Sequence, residues 1–123
     1  MIKCLVLACL LPFMFNLCSP HQDPNLNRDK RGAAIKLVQD SPGRDGTHKT
    51  VDFATQDVNF LRASGVQVAE YGWSAEGDSK STSDYLVKFA YRGKEGVKEA
   101  LWKVNLVTKE VKATNTLAHK YSG

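Results

Sequence analysis

Beyond residue 18 this chain has no cysteine. Its three, Cys4, Cys9 and Cys18, all lie within the first eighteen positions. A disulfide framework, the usual support of a small secreted domain, is thereby excluded for the remainder. Histidine is nearly as scarce. His21, His48 and His119 are the whole set, and none stands at an i, i+4 or His-X-His spacing, so no metal site is expected and no cofactor is implied. There is no Gly-X-Ser-X-Gly elbow, no glycine-rich phosphate loop and no Asp-X-Asp-X-Asp-Gly calcium loop. The chain also lacks an Asn-X-Ser/Thr sequon, which points away from a glycosylated eukaryotic protein. Long apolar runs are missing too. The single one, from Cys4 to Phe15 and interrupted by Pro12, falls short of the roughly 20 residues of a spanning helix. No second run follows, so a bundle of membrane-spanning helices is excluded.

What is present begins with that same run. Lys3, then the apolar stretch, then Cys18 and the polar Ser19-Pro20-His21-Gln22-Asp23-Pro24 have the layout of a secretory signal peptide over residues 1–18, with Cys18 where a bacterial lipoprotein begins after processing. Phe15-Asn16-Leu17 is not the small-residue run of a strict lipobox, so two outcomes are open: acylation at Cys18, or ordinary cleavage around Cys18 to Pro20. A thioether-linked lipid would remove an otherwise free thiol from an oxidising compartment. Its chains would hold the protein on a membrane, at about 0.8 kcal/mol per buried methylene.

Loss of residues 1–17 removes only Lys3 from the charged set and leaves 16 basic against 13 acidic residues, a net charge of +3. The charge is spread along the chain, with no basic stripe of the kind nucleic-acid binding requires. Residues 19–31, with Pro20, Pro24 and alternating charges, read as a flexible tether. Residues 32–123 are long enough for one domain.

Within that domain the period of the apolar residues changes once. Gly32 to Asp40 carries Ala33, Ala34, Leu37 and Val38 on one helical face, stopped by Ser41-Pro42-Gly43. A second helix starts at Thr50, read as its cap, with Asp52 in the first turn and Val51, Ala54, Val58 and Leu61 on one face; Ser64-Gly65 ends it. From Val66 onward the period is two. Strands are expected over Val66–Trp73, Asp84–Arg92, Val97–Val107 and Val111–Thr114, with a polar loop over Ser74–Ser83 and a hairpin turn at Gly93-Lys94-Glu95-Gly96. The expected fold is α+β: one or two N-terminal helices packed on a three- to four-stranded antiparallel meander, over the face that carries Tyr85, Val87, Phe89, Trp102, Val104 and Leu106.

Gly72-Trp73-Ser74-Ala75, Tyr85-Leu86-Val87-Lys88-Phe89, Trp102-Lys103-Val104-Asn105-Leu106-Val107-Thr108 and Val111-Lys112-Ala113-Thr114-Asn115-Thr116-Leu117-Ala118 together resemble a small domain of bacterial secreted and envelope proteins. The resemblance spans about residues 33–120. It implies an exported bacterial protein and supplies no catalytic residues.

For chemistry, the residues offer little. His48 and Asp52 are four apart, and Glu70, Glu76, Asp78 and Asp84 lie within fifteen positions; solvated loop residues and a helix-dipole aspartate account for them better than acid–base work does. Trp102 alternates with strand neighbours and is expected in the core. Trp73 stands at the mouth of the Ser74–Ser83 loop and is set against two expectations, a core aromatic or, with Asp78 and Lys80, a partner-binding surface. The function expected is that of an exported protein of the bacterial envelope, anchored or periplasmic, or secreted. In this reading it is a non-enzymatic binding or structural module whose partner is an envelope protein or wall component. The competing reading is a small envelope-acting hydrolase or enzyme-inhibitor-like factor, with His48 and Asp84 as the residues to test.

Overall fold

A computed structural model describes residues 24–123. The expected signal peptide with Cys18, and residues 19–23 of the expected tether, lie outside the described residues.

Helix α1 spans Pro24–Asp40, so the tether expected over residues 19–31 is helical from Pro24 on. Proline suits a first helical position, where its missing N–H would be unbonded anyway. The stretch that follows has no breaker before Gly32. Once Ala34 and Val38 are buried, each further residue adds one hydrogen bond for little entropy. Composition alone reads such a stretch as disordered; propagation from a packed turn overrides it. Ala33, expected on the apolar face, is exposed.

A closed loop, 41–49, follows. Pro42 and Lys49 form an isolated antiparallel bridge, with Gly43 N–H donating to the His48 carbonyl at 2.7 Å and Thr50 N–H to the Ser41 carbonyl at 2.9 Å. Helix α2, Thr50–Ala63, buries Phe53, Ala54 and Val58. Thr50 is not its cap. Lys49 holds that position, and its N–H donates to the Asp52 carboxylate at 3.0 Å. Thr50 is instead fully buried, with Oγ1 near the Pro42 carbonyl (3.2 Å), Ser41 Oγ (2.9 Å) and Ser122 Oγ (3.3 Å). Trp102 Nε1 donates to Ser122 Oγ at 2.8 Å. This hydroxyl chain ties the end of α1, the start of α2 and the C-terminus to the centre of the sheet. Buried hydroxyls require such partners, because each left unbonded costs about 1–3 kcal/mol.

Four strands form one open antiparallel sheet in the order β1-β2-β3-β4. They are β1 Ala69–Gly77, β2 Asp84–Gly93, β3 Gly96–Asn105 and β4 Glu110–Ala113. Gly93 pairs with Gly96, so Lys94 and Glu95 make the expected two-residue turn. The first strand is displaced from expectation: it starts three residues late and takes in Ser74, Ala75, Glu76 and Gly77 from the expected loop. Pairing decides this against weak propensity, since Trp73, Ala75 and Gly77 register on Phe89, Val87 and Tyr85. At Gly72, with φ of +85°, the register shifts between Glu70 and Gly72. The bulge leaves Tyr71 free to accept from Arg92 Nε at 3.0 Å.

A third helix, α3 Thr116–Ser122, closes the chain, where only a trailing end or a helical turn is expected from the sequence. Asn115 caps it, accepting from Ala118 N–H at 3.1 Å while its amide donates to the Glu99 carbonyl at 2.8 Å. The fold is α+β, with all three helices on one side of the sheet. There Tyr85, Val87, Phe89, Tyr91, Ala100, Trp102 and Val104 form the core with Ala34, Val38, Phe53, Ala54, Val58, Ala118 and Tyr121. The opposite side, carrying Leu86, Lys88, Leu101, Lys103 and Lys112 by strand alternation, has no helix over it among the described residues.

Candidate functional site

Three groups of polar side chains stand out, and their chemistry differs. The first is a surface pair in the 41–49 loop. Asp45 Oδ1 accepts from Thr47 and His48 N–H, both at 2.9 Å, and Oδ2 meets His48 Nδ1 at 2.6 Å. The hydrogen bond from His48, with the two backbone donors, holds the Asp45 carboxyl down at about 2. Reciprocally, Asp45 raises His48 above its usual 6.5. His48 is thus bonded to Asp45 and not to Asp52, which caps α2. The histidine contribution is complete below pH 6.5 and fades as pH rises through its elevated pKa. The aspartate contribution is complete above pH 3.8 and fades as pH falls toward about 2. An NMR titration of the His48 ring is expected to give a pKa above 6.5, and Asp45→Asn to return it toward 6.5. An unchanged midpoint in the variant would contradict the pairing.

The second group is interior. Asp57, on α2, has a side chain only 12% exposed. Its Oδ2 accepts from Tyr121 Oη at 2.6 Å and Tyr91 Oη at 3.3 Å, and its Oδ1 from Lys120 Nζ at 3.3 Å. Burial, then the Asp57 carboxylate, pushes both phenols up, Tyr121 far above its ordinary 10. Every polar atom here has a partner, which fits a joint holding α2, α3 and β2 together.

The third group is the candidate site. A cavity of about 520 Å³ opens at the end of the sheet beside the loop between β1 and β2, lined by Glu76, Asp78, Asp84, Lys103, Glu110 and Lys112 together with Tyr85, Leu86 and Asn105. None of these six charged side chains forms an ion pair within 4 Å among the described residues. Asp84 accepts from Asn105 Nδ2 at 2.7 Å. Asp78 accepts from Lys80 N–H at 2.9 Å and its own N–H donates to the Asp84 carbonyl at 2.9 Å, so the β1–β2 pairing continues one step into the loop.

Of the four carboxylates clustered in the sequence, Glu76, Asp78 and Asp84 converge here. Glu70 does not, and lies 3.7 Å from Arg62. Trp73 is half-buried and faces the helices, its rings 4.9 Å from Phe89 and 5.5 Å from Trp102. It therefore belongs to the core stack and does not stand at the loop mouth, because the strand continues past it to Gly77. Lys80 is exposed on the loop, outside the cavity lining. His48 and Asp84 occupy separate places, each with its own partner. His119 is exposed with Nδ1 3.2 Å from the Gly123 carbonyl, and His21 lies outside the described residues. Among the described residues no three His, Cys, Asp or Glu side chains are grouped to hold a metal ion.

Lys103, Glu110 and Lys112 were not foreseen as site residues. Alternation places each on the outer face, but only the β2–β3–β4 register brings them to Asp84. The Asp57 cluster left no trace in spacing either, its partners Tyr91, Lys120 and Tyr121 standing 34, 63 and 64 positions from Asp57. Comparisons with protein-family models, with curated proteins and with solved structures found no match to this chain.

Proposed function

We propose that this protein is an exported, non-enzymatic binding module of the bacterial envelope that captures its partner, an envelope protein or wall component, at the cavity beside the β1–β2 loop. One observation carries the reading: six charged side chains line that cavity without pairing among themselves, whereas the Asp45–His48 and Asp57 groups are satisfied internally. Asp78 and Asp84 each commit one oxygen, to the Lys80 N–H and the Asn105 amide; Glu76, Lys103, Glu110 and Lys112 hold nothing among the described residues and are free to meet a ligand. Export rests on the signal-like first eighteen residues, and anchoring on acylation at Cys18. No helix among the described residues is long and apolar enough to cross a membrane.

A photo-reactive residue at the exposed Ser79, which lines the cavity, tests the capture step in living cells. A discrete crosslinked adduct is expected, and Asp78→Lys should abolish it at unchanged protein level and melting temperature. An adduct indifferent to Asp78→Lys, or none at Ser79 while a probe on the exposed face of α1 yields one, would move the binding surface elsewhere. Mass spectrometry of membrane-extracted protein tests the anchor, with an acylated Cys18 at the new N-terminus expected.

A further inference from the structure

We infer that the cavity recognises a short zwitterion, a peptide with both its ammonium and its carboxylate free; this rests on the capture reading above and names the ligand class for it.

The strand register arranges the charges in two rows across the outer face. Asp84, Asn105 and Glu110 are neighbours on β2, β3 and β4, and one pleat further in stand Leu86, Lys103 and Lys112, with Glu76 of β1 beside Leu86. The row holding Asp84 and Glu110 and the row holding Lys103 and Lys112 are two residues apart along the strands, about 7 Å. A single acidic patch would attract any cation. An acidic row beside a pair of lysines selects a molecule that carries both charges at a fixed separation; Glu76, at the β1 end of the second row, is two strands away from Lys103.

A separate observation points to the anionic half of that ligand. Lys103 and Lys112 are direct cross-strand partners, both exposed, and neither has a carboxylate within 4 Å among the described residues. Like charges directly opposite one another destabilise a sheet. The same face shows the ordinary remedy one pleat away, where Lys88 and Glu99 lie 3.5 Å apart. No carboxylate compensates the lysine pair among the described residues, and one set between the two ammonium groups relieves it through charge-assisted hydrogen bonds. The ligand's ammonium then reaches the Asp84–Glu110 row, and its side chains rest on the exposed Leu86.

The test is a titration of the ¹⁵N-labelled protein with Ala-Ala, N-acetyl-Ala-Ala and Ala-Ala amide, followed by amide shifts. Ala-Ala is expected to move the signals of Asp84, Lys103, Glu110 and Lys112, and each blocked peptide to bind more weakly. Lys112→Gln should weaken Ala-Ala by about tenfold or more while leaving the melting temperature equal or slightly higher at low salt. Blocked peptides binding as well as Ala-Ala, or Lys112→Gln binding like the parent, would overturn the inference. So would a fall in melting temperature, which would give Lys112 a structural part. If Ser79 crosslinks to a partner and Ala-Ala leaves the spectrum unmoved, the zwitterion inference fails and the capture reading stands. If Ala-Ala binds and no crosslink forms, capture of a macromolecule fails.

Discussion

Trp102→Ala is expected to lower folding stability by about 3–5 kcal/mol, the range for deleting a large buried aromatic. For a domain of this size that is a large part of the 5–15 kcal/mol usually available. The indole is fully buried at the middle of the sheet and its ring stacks near Trp73 at 5.5 Å and Tyr121 at 6.4 Å. Its removal opens a cavity under both, and also takes the 2.8 Å donor away from Ser122 Oγ. Without that donor the hydroxyl chain through Thr50 to Ser41 loses its fixed direction. Trp102→Phe keeps most of the ring volume and loses only the donor, so it should cost far less than the alanine. Urea unfolding followed by circular dichroism compares the two; equal losses would show that the hydrogen bond, not the packing, dominates.

Gly43→Ala is expected to cost about 2–3 kcal/mol, at the upper end for overpacking. Gly43 is buried where the 41–49 loop crosses α2. A Cβ there would overlap the Phe53 ring edge and stand 2.8 Å from the His48 carbonyl. Neither neighbour can retreat cheaply. The carbonyl accepts the Gly43 N–H within the bridge, and Phe53 is held between the core and the Arg44 guanidinium, 4.4 Å above its ring. A control at Gly46, where φ is +74° and nothing lies within 4 Å, separates steric overlap from backbone strain: only the Gly43 variant should perturb the Phe53 ring signals. Unaltered Phe53 signals at full stability would refute the close approach.

Much of the architecture was legible because local periodicity reports it. Tyr85, Val87, Phe89 and Tyr91 alternate on one face as expected, and the Gly93–Gly96 hairpin follows from its glycines. The helix over 24–31 is propagated from its own packed turn; the other misreadings occur where a distant contact outvoted the local signal. Thr50 looked like a cap, but its hydroxyl is claimed by Ser41, Pro42 and Ser122. Ser74 to Glu76 looked like loop, but β2 supplies them with a pairing partner. Trp73 reads from sequence more readily as a core aromatic than as a partner-binding residue, and the bulge at Gly72 sets its side inward as the core reading requires. The cavity was visible only in part: Asp78 and Asp84 are close in sequence, whereas Lys103 and Lys112 meet only through register.

From the amino-acid order alone came the class of fold, the faces of the helices and strands, and the export-like segment preceding them, since these depend on side chains a few residues apart. The tertiary structure decided which hydroxyls bond, which carboxylates lack an ion pair, and that two lysines stand opposed beside an acidic row. Those outcomes depend on sheet register and helix docking, which bring together side chains separated by tens of residues, and no short-range pattern encodes that distance.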